Sequence, residues 1–191
     1  MAVHPLCVEP HPVLRTPARP VDQFSDDLRR LARDLIDTMY ANDGIGLAAP
    51  QIGRDVQVFV ANPTQQRGRE VLLVNPVLEA VTGRAGVVEG CLSLPEIWER
   101  VKRAARVRLS GWDLDGKPVE VEADGLLAIV LQHEFDHLHG RLFIDRLSWF
   151  RRQRVTRRVR ARAASRRAAV PPSQASGAKG RDASLAASRV R

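Results

Sequence analysis

The most constraining feature of this 191-residue chain is an apolar stretch that carries two histidines four residues apart. Residues 125–140 read GLLAIVLQHEFDHLHG, and helical spacing places the apolar side chains on the same stripe as His133. On a helix, His133 and His137 share one face, which turns inward with that stripe. Buried imidazoles need partners, and a metal ion supplies them. The stretch therefore predicts a buried, metal-binding helix.

Glu134 completes the pattern H-E-x-x-H. Its carboxylate lies roughly 60° from His137 around the helix axis, beside the open side of a bound metal. This arrangement is typical of two metal ligands and a carboxylate base on one turn. The alternative is a pair of solvated histidines beside an unrelated glutamate. The apolar stripe of Leu126, Ile129 and Val130 favours the metal.

Cys91, in the segment EGCLS, is the candidate third ligand. A Cys-His-His set leaves a fourth position open for water, which is typical of a catalytic site. Alternatively, Cys91 is a small buried hydrophobe. Glu89 and Asp136 are candidates for orienting the histidines or for ordinary surface salt bridges, and both interpretations stay open.

Charge divides the chain unevenly. Residues 151–191 hold 13 Lys+Arg and one acid, whereas residues 1–150 hold 17 basic and 21 acidic residues. We therefore predict a domain over 1–150, a basic C-terminal helix over 151–170 and a disordered basic tail over 171–191. No apolar run is long enough to span a membrane, so we expect no membrane partner, and no specific DNA partner either.

The order of predicted elements indicates the α+β class. A proline-rich leader over residues 5–20 is expected to lie on the surface. We expect short antiparallel or mixed sheets packed around the central metal-binding helix, with one helix at each end of the chain. The predicted helices are Asp26 to about Asp43, Gly125 to about His139 and Asp145 to about Ala169, and the predicted strands are 56–60, 70–74, 87–94, 106–114 and 118–123.

Three motifs together resemble the peptide deformylase family. They are GIGLAAPQ (44–51), EGCLS (89–93) and QHEFDHLHG (132–140). The resemblance covers roughly residues 3–160. It implies hydrolytic removal of the N-formyl group from the N-terminal formylmethionine of newly synthesised proteins, releasing formate, by a metal-bound water with a glutamate general acid/base. From the residues alone, the first motif is interpreted as a tight turn packed on the core.

The resemblance implies that Cys91, His133 and His137 hold the metal and that Glu134 is the general acid/base. The expected cofactor is one divalent ion, Fe²⁺ in cells, with Ni²⁺, Co²⁺ or Zn²⁺ possible in purified protein.

The resemblance also implies substrate contacts. The Gln51 amide and the Leu92 backbone N–H would stabilise the oxyanion. The backbone of Ile45 and Gly46 would pair with an extended peptide. The methionine pocket would be formed by Ile45, Leu126, Ile129 and Val130, to which we add Val87.

One position departs from the family pattern. Many members carry an arginine in the substrate groove seven residues after the metal cysteine, where this chain has Trp98. Either Arg100 or Arg103 takes over that role, or the groove relies on stacking by Trp98.

The resemblance assigns the basic helix to the ribosome near the exit tunnel, through salt-sensitive contacts with phosphates. The simpler interpretation is a solvated charge run. The expected partners are thus formyl-methionyl nascent peptides and the ribosome, and we expect a cytoplasmic monomer. Two other classes remain: a metallopeptidase, for which Asp145 is the only nearby downstream acid, and a non-catalytic ribosome- or RNA-binding protein.

Overall fold

Two antiparallel sheets contact one central helix in the computed structural model, which describes residues 2–169. The larger sheet has the strand order β1-β2-β3-β6-β7, and the smaller sheet pairs β4 with β5. The strands are Gly46–Ala48 (β1), Val58–Ala61 (β2), Val71–Thr82 (β3), Ala85–Cys91 (β4), Leu94–Arg103 (β5), Arg106–Trp112 (β6) and Pro118–Asp124 (β7). The helices are Asp26–Ala41 (α1), Gly125–Leu138 (α2) and Trp149–Ala169 (α3). The α+β class is confirmed.

Helix α2 is buried along most of its length, as its apolar sequence predicts. Leu131 and Leu138 are fully buried and pack with side chains of the larger sheet. The Gln132 side chain bonds the backbone N–H and C=O of Ala104, which follows β5, and His133 binds Glu89 of β4 in the smaller sheet. The helix therefore joins the two sheets, and its polar residues are held inside the protein.

The predicted strand over 87–94 is two strands in the structure. Strand β4 ends at Cys91 and β5 begins at Leu94, so the chain reverses immediately after the cysteine. Strand β5 was not predicted beyond residue 94, because charged residues on both of its faces obscure the alternation. Helix α3 begins at Trp149 rather than Asp145, since Phe143–Arg146 forms a separate 3-10 turn.

The leader over 5–20 does not simply lie on the surface. Leu14 is fully buried in the core beneath β5 and α3. The backbone N–H of Cys7 donates to the Gln51 carbonyl, and that of Glu9 donates to the Ser93 carbonyl. The leader thus ties together two segments that carry predicted site residues.

Helix α3 packs on β5 and the 3-10 turn Phe143–Arg146 through a narrow apolar stripe. Val155 and Val159 are buried with Leu94, Ile97 and other side chains of one core cluster. The domain boundary at residue 150 stays a prediction, and the tail over 171–191 lies outside the described residues. Among the described residues, no helix is long and apolar enough to span a membrane.

We predict that Val155→Ala lowers the free energy of unfolding by about 2 kcal/mol, because it leaves a cavity in a closely packed core. Urea unfolding followed by circular dichroism measures the change. The exposed Arg158 on the same helix provides the control, and Arg158→Ala should stay within about 0.5 kcal/mol of the parent protein. Equal losses in the two variants would contradict the packing of α3.

Candidate metal centre

Three side chains from two elements converge on one point. Cys91 lies at the end of β4, and His133 and His137 lie one turn apart on α2. One ligand atom from each lies within 4.8 Å of the others, and the Cys91 Sγ is 3.2 Å from the His137 Nε2. Ligands of a tetrahedral metal with one thiolate and two imidazoles stand roughly 3.5 Å apart. The donor set and its spacing therefore fit a divalent metal ion.

A hydrogen bond orients His133, whereas burial favours the neutral form of His137. The His133 Nδ1–H donates to the Glu89 carboxylate at 2.8 Å, which leaves the Nε2 free to bind a metal. Burial lowers the pKa of His137 well below its ordinary value, so the neutral ligand form is favoured. Of the two open interpretations of Glu89, the structure supports the orienting role.

A buried arginine holds the carboxylate that orients His133. The Arg103 guanidinium donates two hydrogen bonds to Glu89, at 2.7 and 2.9 Å, and one to Asp136 at 2.5 Å. Asp136 is also paired with Arg146. Burial acts to raise the pKa of Glu89, but the bonds from Arg103 and His133 bring it down to about 2. Asp136 thus touches neither histidine directly and acts through Arg103.

Glu134 lies on the cavity side of α2 and forms no ion pair with another residue between 2 and 169. It is 3% exposed, and its Oε2 has no hydrogen-bond partner among the described residues. Burial raises the pKa of its carboxyl to about 7, so the group can accept and release a proton near neutral pH. A Cβ on Gly46 would lie 2.4 Å from the Glu134 Oε1, so only glycine lets β1 approach this carboxylate.

The Gln51 amide is held in one orientation. Its Oε1 accepts from the Ala48 backbone N–H at 2.8 Å, so its Nε2 must face the other way. That nitrogen lies 3.6 Å from the Cys91 Sγ and 3.3 Å from the Ser93 Oγ. An N–H donor therefore points at the metal centre from the first motif, a role that spacing alone does not reveal.

One cavity of about 570 Å³ collects nearly all of the predicted site residues. His137 is buried and does not line it, and Leu92 is half-buried at its wall. The predicted residues that line it are Ile45, Gly46, Gln51, Val87, Cys91, Leu92, Leu126, Ile129, Val130, His133 and Glu134. Residues that the sequence analysis did not place there include Leu6, Asp43, Val88 and Glu96. No local signal marks these four, because they reach the cavity only through pairing of distant segments.

Among residues 2–169, no arginine or lysine side chain lines the cavity in place of the groove arginine. The prediction for Arg103 is wrong, because its guanidinium is buried between Glu89 and Asp136. Arg100 is exposed and donates to the Gly86 carbonyl at 3.2 Å, outside the cavity. Trp98 does line the cavity, and its ring covers Gly90, where a Cβ would meet the ring at 2.5 Å.

Asp145, the acid left open as a downstream ligand, lies elsewhere. Its carboxylate binds Arg15 at 2.6 Å and Arg152 at 2.8 Å, and it accepts from the Leu142 N–H. The third donor at the centre is therefore the upstream Cys91, unlike the downstream ligand usual in H-E-x-x-H peptidases.

Comparison with known proteins gives consistent matches. The family model described as polypeptide deformylase matches residues 3–153. The chain is 44% identical to a peptide deformylase of Acinetobacter baumannii over 160 residues, 83% of this chain and 91% of that protein. It is 46% identical to one of Alkalilimnicola ehrlichii over 160 residues, 83% and 90% of the two chains. A solved peptide deformylase from Legionella pneumophila has a TM-score of 0.81 at 38% identity, covering 89% of this chain and 100% of that one.

We predict that Arg103→Met lowers the free energy of unfolding by about 3–5 kcal/mol, because it leaves two buried carboxylates without their shared partner. Chemical denaturation of the metal-loaded protein measures the loss. Arg108→Met is the matched control, since Arg108 forms a half-exposed pair with Glu79 at 3.2 Å. The control should lose at most about 1 kcal/mol. Similar losses of stability in the two variants would show that the buried ion pairs of Arg103 stabilise the protein no more than an exposed pair does.

Proposed function

The chain belongs to the polypeptide deformylase family, and we propose that the cavity beside Cys91, His133 and His137 is its active site. The enzyme is a metal-dependent hydrolase that removes the N-formyl group from newly made proteins. Water and the formyl amide react to give formate and a free amino terminus. The observation that carries the assignment is a group of three donors, two of which line the cavity, beside a buried glutamate whose Oε2 has no hydrogen-bond partner among residues 2–169.

The three donors would hold one divalent ion, which would supply a water of lowered pKa and Lewis acidity. We propose Fe²⁺ as the ion in cells, as membership of the family implies; one thiolate and two imidazoles are compatible with iron(II) and equally with Zn²⁺, Ni²⁺ or Co²⁺. Ni²⁺, Co²⁺ or Zn²⁺ then takes the same site in purified protein.

Glu134 moves the protons of the reaction. Its Oε2 accepts a proton from the attacking water and later returns it to the leaving amine nitrogen. The absence of a competing hydrogen bond to this oxygen, among the described residues, supports the assignment. Its raised pKa keeps both proton transfers close to balance at neutral pH.

Gln51 and Leu92 stabilise the negative charge that develops on the formyl oxygen. The Gln51 Nε2 is already aimed toward Cys91, because the Ala48 N–H holds the other end of the amide. The Leu92 N–H directly follows the cysteine in the chain. Donors fixed before the reaction need no reorganisation as the charge appears, which is the source of their effect.

The substrate backbone pairs with the free edge of β1. This strand ends the sheet order, and within the described part of the chain only one of its edges is paired, with Gly46 opposite Ala61 in β2. An extended peptide beside Ile45 and Gly46 therefore adds a strand within reach of Glu134. The methionine side chain packs against the apolar residues Ile45, Leu126, Ile129 and Val130, and against Val87, which also line the cavity.

Beyond the methionine, Trp98 takes the place of the groove arginine. The ring is 65% exposed and forms part of the cavity wall next to Val88, which is 59% exposed. Two large apolar side chains exposed at the mouth of a cavity favour apolar contact with the residues that follow the formylmethionine.

The basic helix α3 directs the enzyme to the ribosome near the exit tunnel, where nascent chains emerge. Arg157, Arg158 and Arg160 are exposed, and no ion pair joins them to other residues between 2 and 169. They are therefore free to contact phosphates. We propose a cytoplasmic monomer as the working form.

We predict that Glu134→Gln lowers the rate of formate release from formyl-Met-Ala-Ser by about 10²–10⁴-fold, because the proton carrier is lost. Metal content, measured by mass spectrometry, should not change, since Glu134 is not among the three donors. Exposed Glu122 serves as the control, and Glu122→Gln should keep full activity. Turnover that survives Glu134→Gln would reject the assigned base, and loss of the metal would make Glu134 a ligand.

A second prediction concerns the helix. Changing Arg157, Arg158 and Arg160 together to Gln should weaken co-sedimentation with ribosomes at low salt, because the attraction of these side chains to phosphates is lost. The slope of log affinity against log salt should fall by roughly 0.7–0.9 per contact.

The control removes the same charge elsewhere, at exposed Arg54, Arg69 and Arg84. Both triple variants should hydrolyse formyl-Met-Ala-Ser like the parent enzyme. Equal co-sedimentation by the two variants would refute a specific role for α3.

A further inference from the structure

Helix α3 reaches a strained turn in the wall of the cavity. Glu96 has a φ of 62°, a left-handed conformation that is uncommon for a residue with a side chain. The Arg162 Nη1, 66 residues further along the chain, lies 2.9 Å from the Glu96 carboxylate and donates to the Pro95 carbonyl at 3.1 Å. Both Pro95 and Glu96 line the cavity. One side chain of the basic helix therefore holds two consecutive residues of the cavity wall.

The turn at Glu96 decides which way the following side chains point. In β5, Leu94 is buried, and strict alternation would bury residues 96 and 98 and expose residue 97. Instead Ile97 is 1% exposed and Trp98 is 65% exposed. The pairing changes here too: Cys91 lies opposite Leu94 but Glu89 lies opposite Glu99, so Pro95 to Trp98 face the single residue Gly90. The bulge turns Trp98 outward, onto Gly90 and into the cavity wall.

We propose that Arg162 is a positioning residue for the substrate groove: by holding the left-handed turn at Glu96, it keeps the Trp98 ring in place for the residues after the formylmethionine. A non-glycine residue in this conformation persists only when its surroundings hold it, and Arg162 is the charged partner that does so. The inference rests on the proposed function, since it takes the cavity for the substrate site. It makes α3 part of the substrate site as well as a docking element.

Arg154 offers a matched control on the same helix. It pairs with Glu99 on β5 at 3.6 Å, but Glu99 lies on the buried face of the strand and does not line the cavity. Arg151 also pairs with Glu99, at 2.5 Å, so loss of Arg154 leaves that carboxylate partnered. Arg154→Ala thus removes a similar contact between α3 and β5 without touching the turn.

We expect Arg162→Ala to raise KM for formyl-Met-Ala-Ser about five- to tenfold with kcat nearly unchanged, because ground-state and transition-state binding are lost together. KM for formylmethionine amide should stay the same, because this substrate has no residue after the methionine to contact Trp98. Arg154→Ala should change neither constant. An unchanged KM in Arg162→Ala, or an equal rise for both substrates or in both variants, would overturn the proposal.

A spectroscopic readout separates this inference from the proposed function. In a protein with Trp112→Phe and Trp149→Phe, Trp98 is the only tryptophan. Arg162→Ala should change the quenching of its fluorescence by acrylamide, and Arg154→Ala should not. Failure to release formate in the parent enzyme would refute the active site, whereas unaltered quenching would refute the role of Arg162.

The double variant tests the route through Glu96. Glycine adopts a positive φ without steric cost, so Glu96→Gly should hold the turn without its charged partner. In that background the effect of Arg162→Ala on KM should fall to about twofold or less, as expected for coupled residues. An undiminished effect would show that Arg162 does not act through this turn.

Discussion

The buried guanidinium of Arg103 joins the two halves of the proposed active site. It comes from β5 in the smaller sheet and binds Glu89 on β4 and Asp136 on α2, so one charge connects three elements. A charge removed from water is tolerated only with close partners of opposite sign. This requirement fixes where the β4–β5 pair meets α2. Through Glu89 the same interaction orients His133. The metal centre depends on this network for the direction of its ligands.

The groups around the candidate metal centre are placed by the close approach of the first motif (44–51) to α2. Gly46 lies against the Glu134 carboxylate, and any larger residue would displace it. The adjoining Gln51 is held by Ala48 on one side and faces Cys91 on the other. The glycines and the buried amide of this motif are thus compatible with both interpretations raised by the sequence, because a tightly packed turn is what brings the donor to the centre.

The C-terminal helix has two faces with different roles. Val155 and Val159 complete the core beneath β5, and Arg162 holds the cavity wall at Glu96. The exposed arginines on its other side leave a basic surface free for phosphates. If both proposals hold, the position of this one helix bears on the shape of the groove as well as on localisation. Residues 1–150 are mildly acidic, so the positive charge of the whole chain comes from residues 151–191. The overall charge therefore says little about the chemistry of the cavity.

Local spacing in the sequence was enough to place the two candidate histidine ligands and the glutamate beside them on one helix. The helical repeat places residues one and four apart on predictable faces, and that geometry needs no distant contact. The order of the predicted elements led to the α+β class, and the need for a third ligand led to Cys91. Only the tertiary structure decided that Arg103 is buried, that Glu89 rather than Asp136 touches His133, and that Trp98 faces the cavity. These outcomes depend on pairing between segments tens of residues apart and on one bulge that reverses the alternation of β5, and neither is encoded in the spacing of neighbouring residues.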